Sequence, residues 1–220
     1  MMIEDVKTNE LYSFRFWGVF LVLSLLYVIL YYITNTYVYT GEFYETLLQG
    51  TVDEERITKT IEMRQHFLWI SYVAQPLLLL MRCVIFSGAI YTGAMLSGPA
   101  IEYKNCLRIV ILAEMVTFLS TLIKIACFLL IPSLSPKSFQ YFFPLSVTQL
   151  MNINAIPKYF IYPLSQLNLF EVAYWVLLAM GVKYFSNQNW GHALKTVAST
   201  YGALLLVWIL VIIFISLQFS

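Results

Sequence analysis

Four ionisable residues lie within stretches that are otherwise long and apolar enough to cross a membrane: Arg82, Glu114, Lys124 and Glu171. Burying a charge near the bilayer centre is costly, so such side chains usually face a partner, the interior of a helical bundle or a water-filled cavity. Acidic and basic groups at this depth suit either a structural ion-pair network or a path for a solute, an ion or a proton. The pattern therefore predicts an integral membrane protein with a polar interior.

Two of these residues are expected to meet, because they lie at similar depths in adjacent stretches. Arg82 and Glu114 lie roughly 19 Å and 15 Å from the same membrane surface at a helical rise of about 1.5 Å per residue. The connection between their stretches is short, so the two helices are antiparallel neighbours. Lys124 lies near the other end of its stretch, where a lysine side chain can extend to the interface. Glu171 lies at a depth from which we expect it to reach Arg82 or Lys124.

The composition is that of a membrane protein. Hydrophobic residues make up 60% of the 220 residues and charged residues 11%, whereas a soluble domain carries about 25% charge. We expect one membrane domain, residues 1–220, and no second globular domain. The net charge of +1 argues against nucleic acid as a partner. Cys83, Cys106 and Cys127 form no Cys-x-x-Cys pair and are expected to pack as small apolar residues, so neither a metal site nor a cofactor is predicted.

Five stretches reach the roughly 20 mainly apolar residues that a transmembrane helix needs. They are residues 16–34, 67–95, 107–131, 167–184 and 197–217. The predicted fold is an all-α polytopic membrane helical bundle with five transmembrane helices. Lysine and arginine residues concentrate next to the helix ends on the side that holds the N-terminus, which predicts an N-terminus inside and a C-terminus outside. The outer loops are then residues 35–66 and 132–166.

The first outer loop is predicted to contain the start of a long second helix. Thr51 to Glu54 fit a capping box, which marks a helix N-terminus. Ile57, Ile61 and Leu68 lie near one face of the helix that follows. We therefore expect this helix to begin outside the bilayer, near Val52.

The second outer loop holds five of the seven prolines between residues 132 and 163. Aromatic residues flank its polar middle, as is typical of the headgroup layer. We expect an interfacial helix near Ser146–Met151. The alternative is a re-entrant element that lines a cavity.

Ala89, Gly93 and Ser97 form a small-xxx-small series on one face of the second span. Such a face lets another helix approach closely, whether an internal neighbour or another subunit. The chain contains no His-Glu-x-x-His pattern, Gly-rich phosphate loop or nucleophile elbow. We therefore predict no enzymatic activity and no catalytic residues.

A run in the C-terminal third resembles the fourth span of Yip1-domain membrane proteins. It comprises Leu167-Asn168-Leu169-Phe170, then Trp175, then Leu177 to Val182, and matches the Asn-x-Phe step, the aromatic and the Leu-rich run ending in Gly of that family. The Asp-Leu-x-Gly-Pro motif of the eukaryotic members is absent, which favours a bacterial-type member over a role in vesicle trafficking. The resemblance implies a compact helical bundle that works with partner proteins and brings no catalytic residues.

The leading interpretation is a non-enzymatic subunit or scaffold of a membrane protein assembly, whose partners are the lipid bilayer and other membrane proteins or further copies of itself. The expected location is the bacterial inner membrane, with an endomembrane as the alternative. The alternative function is a small permease or channel for a solute, ion or lipid, in which Arg82, Glu114 and Glu171 line the path. A membrane enzyme acting on lipid is a third, weaker interpretation, with only His66 and His192 as scattered candidates.

Overall fold

The computed structural model describes residues 16–48, 53–98, 101–131, 139, 142–152 and 156–218. This part of the chain is helical and contains no strands. Its α-helices are α1 (Phe16–Ile33), α2 (Gly41–Leu48), α3 (Glu54–Ser97), α4 (Tyr103–Leu130), α5 (Lys158–Gln166), α6 (Leu169–Ser186), α7 (Trp190–Val197) and α8 (Ala203–Gln218). A π-helical turn, Thr34–Val38, continues α1, and a second one, Ala198–Gly202, joins α7 to α8.

Within the described residues, five helical segments are long and apolar enough to cross a membrane, in agreement with the five predicted spans. They are Phe16–Val38, Glu55–Ser97, Tyr103–Leu130, Leu169–Ser186 and Trp190–Gln218. A chain crosses the hydrocarbon layer as a helix because a helix pairs all its backbone groups. Each crossing therefore needs about 20 mainly apolar residues, and this length sets the number of spans.

Helix α3 is much longer than a bilayer requires. Its 44 residues correspond to about 66 Å at the α-helical rise, against a hydrocarbon core of about 30 Å. We call residues 54–66 of α3 the arm, and the end of the bundle that carries it the arm side. The helix begins at Glu54 with Asp53 at the N-cap position, which forms no side-chain capping bond. Thr51 and Val52 of the predicted capping box lie outside the described residues.

The core lies where α4 and α6 cross, with α1, α3 and α7 packed around them. Ile109 and Leu178 are fully buried there. Gly181 permits the close approach of α6 to α4, because an added Cβ would lie 2.5 Å from Cγ1 of Ile109. No residue of α8 is buried, so its apolar side chains are free to face lipid.

The arm is held against the end of α1 and the start of α2. Ile57 of the arm is buried. The Arg64 guanidinium donates a 3.4 Å hydrogen bond to the Tyr39 carbonyl and a second to Oδ1 of Asn35, and lies 5.0 Å from the ring centroid of Tyr44. These contacts join the bundle end of the arm to the end of α1 and the start of α2.

The second loop contains a short helix within the region where an interfacial helix was predicted, Ser146–Met151. Residues 147–150 form a single 3-10 turn, because backbone groups beside it pair with the start of α6. The Val147 amide donates to the Leu167 carbonyl at 3.0 Å, and the Leu169 amide donates to the Leu145 carbonyl at 3.2 Å. Helix α5 was not predicted. Residues 132–138, 140–141 and 153–155 of this loop lie outside the described residues.

Candidate functional site

Arg82 of α3 and Glu114 of α4 form a two-point ion pair inside the bundle. Arg82 Nε donates to Glu114 Oε1 at 2.9 Å, and Arg82 Nη2 lies 2.5 Å from Oε2. A planar guanidinium matched to both carboxylate oxygens is among the strongest hydrogen-bonded arrangements in proteins. The Glu114 side chain is 0% exposed, whereas Arg82 retains 38% exposure. The two residues meet where the depth argument placed them.

Two neutral hydroxyl groups complete this pair. Tyr174 of α6 donates a 3.1 Å hydrogen bond to Glu114 Oε1. Arg82 Nη2 also donates to Oγ1 of Thr117 at 3.0 Å. A buried ion pair offsets its desolvation only when further hydrogen bonds satisfy its remaining groups. The arrangement therefore ties α3, α4 and α6 together through a fully buried carboxylate.

Glu171 is held by neutral donors rather than by a basic side chain. Its Oε1 accepts hydrogen bonds from the Tyr201 hydroxyl at 2.8 Å and from Trp175 Nε1 at 2.9 Å. Among the described residues, no lysine or arginine lies within ion-pair distance of it. The expected approach to Arg82 or Lys124 therefore does not occur, and Tyr201 and Trp175 both donate to Oε1 instead.

The start of α6 positions this carboxylate. Asn168 is the N-cap residue, and its Oδ1 accepts a 2.8 Å hydrogen bond from the Glu171 amide. An asparagine in this place satisfies one of the unpaired amides of the first turn. A carboxylate in the first turn also interacts favourably with the helix dipole.

The π-helical turn Ala198–Gly202 brings the last span against two others. Thr200 lies against Gly93 of α3, and Gly202 lies against the Trp175 indole of α6, so closely that an added Cβ at Gly202 would be 2.7 Å from it. Tyr201, between them, reaches Glu171. π-helical turns inside α-helices frequently occur at functional sites.

The small-residue face of α3 therefore has an internal partner at its centre. Gly93 packs against Thr200, and Ser97 Oγ donates to the Gly93 carbonyl at 2.6 Å. Gly88 has no neighbouring side chain within 4 Å of the place where a Cβ would lie.

Lys124 lies apart from the other three ionisable residues. Its ammonium group is 4.7 Å from the ring centroid of Phe139 and 4.5 Å from that of Phe143. It lines a cavity of about 320 Å³ on the arm side. The predicted group of four is thus an ion pair, a carboxylate held by neutral donors and a separate lysine.

Tyr174, Tyr201 and Trp175 were missed by sequence reasoning. Trp175 follows Glu171 by four residues, a spacing at which helical side chains meet, and this signal was available. The two tyrosines carried no such signal, because their partners lie on other helices. The described part of the chain brings together no group of three His, Cys, Asp or Glu side chains that would hold a metal ion. In comparisons with known proteins, the chain matches no family model, no curated protein and no solved structure.

Proposed function

We propose that the protein is a non-enzymatic subunit or scaffold of a membrane protein assembly, and that another membrane protein binds the arm. The observation that carries this proposal is the length of α3, whose 44 residues exceed what a bilayer requires. The resemblance of residues 167–182 to Yip1-domain proteins, which work with partners, points the same way. The corresponding location is a bacterial inner membrane, with an endomembrane as the alternative.

The arm has one occupied face and one free face. Ile57 is buried, whereas Arg56, Lys59 and Met63 are exposed. These three residues are spaced three and four apart, so they lie along one side of the helix. Basic and apolar groups at fixed spacing suit a partner that offers acidic groups around an apolar contact.

The interior of the bundle supports a structural role for its ion pair. Glu114 is fully buried, and its oxygens are bonded to Arg82 and Tyr174. A side chain that lines a solute path must be open to that path. The pair is better suited to holding the helices in register than to transport.

The test is affinity purification of the tagged protein in mild detergent, with co-purifying proteins quantified by mass spectrometry. We expect a stoichiometric membrane protein partner with the wild type and a several-fold loss of that partner in Lys59→Glu. The matched control is Lys195→Glu, which makes the same charge change at an exposed site in α7. Recovery of a homo-oligomer without a partner, or equal capture by both variants, would contradict the proposal.

A permease or channel is the second candidate, and the cavity beside Lys124 is the observation that favours it. Neither Glu114 nor Glu171 lines that cavity, so a path through both carboxylates needs a rearrangement. The test is flux in proteoliposomes with Glu114→Gln and Glu171→Gln combined. This candidate is supported if the wild type conducts protons and the folded double variant does not. If flux in the double variant is undiminished, a path through both carboxylates is ruled out.

We also infer that the N-terminus lies in the cytoplasm and the arm side faces out. The support is the position of basic residues beside the helix ends of the side opposite the arm, including Lys104, Arg108, Lys183 and Lys195. A partner of the arm then carries its binding surface outside the cytoplasm.

A further inference from the structure

The cavity on the arm side has walls suited to an anion. It lies between α1, α3, α4 and Phe139, and no Asp or Glu is among the described residues that line it. Its basic group is Lys124, and its polar groups include Gln75 and Thr121. A cavity of about 320 Å³ is at the small end of the range for ligand sites. Its volume therefore suits a headgroup rather than a whole lipid.

The ammonium group of Lys124 keeps its hydrogen-bonding capacity. It carries three N–H donors, and its contacts are the faces of the Phe139 and Phe143 rings. Ring faces attract a cation but accept few of its hydrogen bonds. Within the described part of the chain, neither a carboxylate nor a hydrogen-bond acceptor is paired with this lysine.

Among the described residues, two further polar groups of the cavity wall have no hydrogen-bond partner. The Tyr27 hydroxyl is buried and forms no hydrogen bond in the described part of the chain. The Gln75 amide takes part in none of the hydrogen bonds described among these residues, although it lines the same cavity. Buried polar groups in proteins are nearly always paired. An oxygen-rich group in the cavity would supply acceptors to both the lysine and the amide.

The cavity has a partly apolar wall and lies near the membrane surface. Leu30 and Ile125 form part of the cavity wall. Lys124 lies about 9 Å from the arm-side end of α4 at the α-helical rise, which places it near the boundary between hydrocarbon and headgroups.

We propose that this cavity binds the phosphate or carboxylate group of an anionic ligand, which Lys124 and Gln75 hold. The anionic group comes either from a lipid of the bilayer or from a soluble phosphate or carboxylate, since both offer the same chemistry to the lysine.

The test uses the full chain purified in detergent. Native mass spectrometry measures retention of phosphatidylglycerol and phosphatidylcholine, and thermal unfolding measures stabilisation by inorganic phosphate. We expect Lys124→Gln to bind phosphatidylglycerol about tenfold more weakly or worse, because a charge-assisted hydrogen bond is lost. Lys124→Arg keeps the charge and is expected to retain binding. Lys195→Gln, at an exposed site on the opposite side, is the matched control.

The outcomes separate the possible sources of the ligand. Strong binding of phosphatidylglycerol with weak binding of phosphatidylcholine identifies the ligand as a bilayer lipid. Stabilisation by inorganic phosphate identifies it as a soluble anion, provided that phosphatidylglycerol does not displace the phosphate. Both results require sensitivity to Lys124→Gln. Equal binding of the two lipids without stabilisation by inorganic phosphate would overturn the proposal. So would phosphatidylglycerol binding and phosphate stabilisation that are both unchanged in Lys124→Gln. If Lys124→Gln does not fold, Lys124→Arg takes its place in the test. The proposal is then overturned if Lys124→Arg binds phosphatidylglycerol no better than phosphatidylcholine.

Discussion

The hydroxyl of Tyr201 donates a 2.8 Å hydrogen bond to Oε1 of Glu171, 30 residues earlier in the chain. Trp175 donates to the same oxygen at 2.9 Å. Neutral donors thus stabilise a carboxylate at the end of a membrane span where an ion pair was expected. The bond also links the last span to α6 at the π-helical turn.

Tyr201→Phe tests the strength of that link. The ring contacts with Tyr174 and Phe86 are retained, and the hydrogen bond to Glu171 is lost. We expect a loss of about 1–3 kcal/mol in the free energy of unfolding, because a bond to a charged group is removed. Thermal unfolding in detergent measures it. Tyr91→Phe, which removes a hydroxyl without a hydrogen bond in the described part of the chain, is the control; equal stability of the two variants would contradict the prediction.

Removing one partner of the central ion pair should cost more than removing both. Arg82→Met leaves the Glu114 carboxylate buried and uncompensated, with an expected loss of about 3–5 kcal/mol. The double variant Arg82→Met, Glu114→Met is expected to regain most of that loss. A double-mutant cycle on detergent-solubilised protein measures the coupling. Arg82→Met paired with Glu62→Gln, on the exposed arm, serves as an uncoupled control, and the absence of coupling between Arg82 and Glu114 would remove the pair's structural role.

Gly93→Ala should destabilise the contact between α3 and the last span. An added Cβ would overlap Cγ2 of Thr200, and overpacking of this kind typically costs about 1–3 kcal/mol. Thr200→Ser removes that methyl group and should restore stability to the double variant. Gly88→Ala, where the added Cβ meets no side chain, should be neutral or slightly stabilising, since alanine favours a helix by up to about 1 kcal/mol. Thermal unfolding of the four proteins makes the comparison, and similar losses in Gly93→Ala and Gly88→Ala would exclude the steric explanation.

The proposed orientation predicts which surface a reagent outside the cell can label. In a variant whose three cysteines are replaced, Lys59→Cys on the arm should react with a membrane-impermeant maleimide in intact cells. Lys195→Cys, at the opposite end, should react only after the membrane is opened. The extent of labelling is measured by gel shift. The reverse pattern would place the arm in the cytoplasm.

Apolar length and helical rise were enough to predict the five spans and the meeting of Arg82 with Glu114. Membrane thickness sets the length of each span. Because the rise per residue in a helix is constant, the depths of Arg82 and Glu114 follow from their residue numbers. Glu171, Lys124 and Gly93 lay beyond such reasoning, because their partners depend on how far each helix is rotated about its axis and how closely its neighbour approaches. The π-helical turn at Ala198–Gly202 changes that rotation within the last span. Only the tertiary structure therefore decided that Tyr201 faces Glu171, that Thr200 faces Gly93, and that Lys124 lines a cavity of its own.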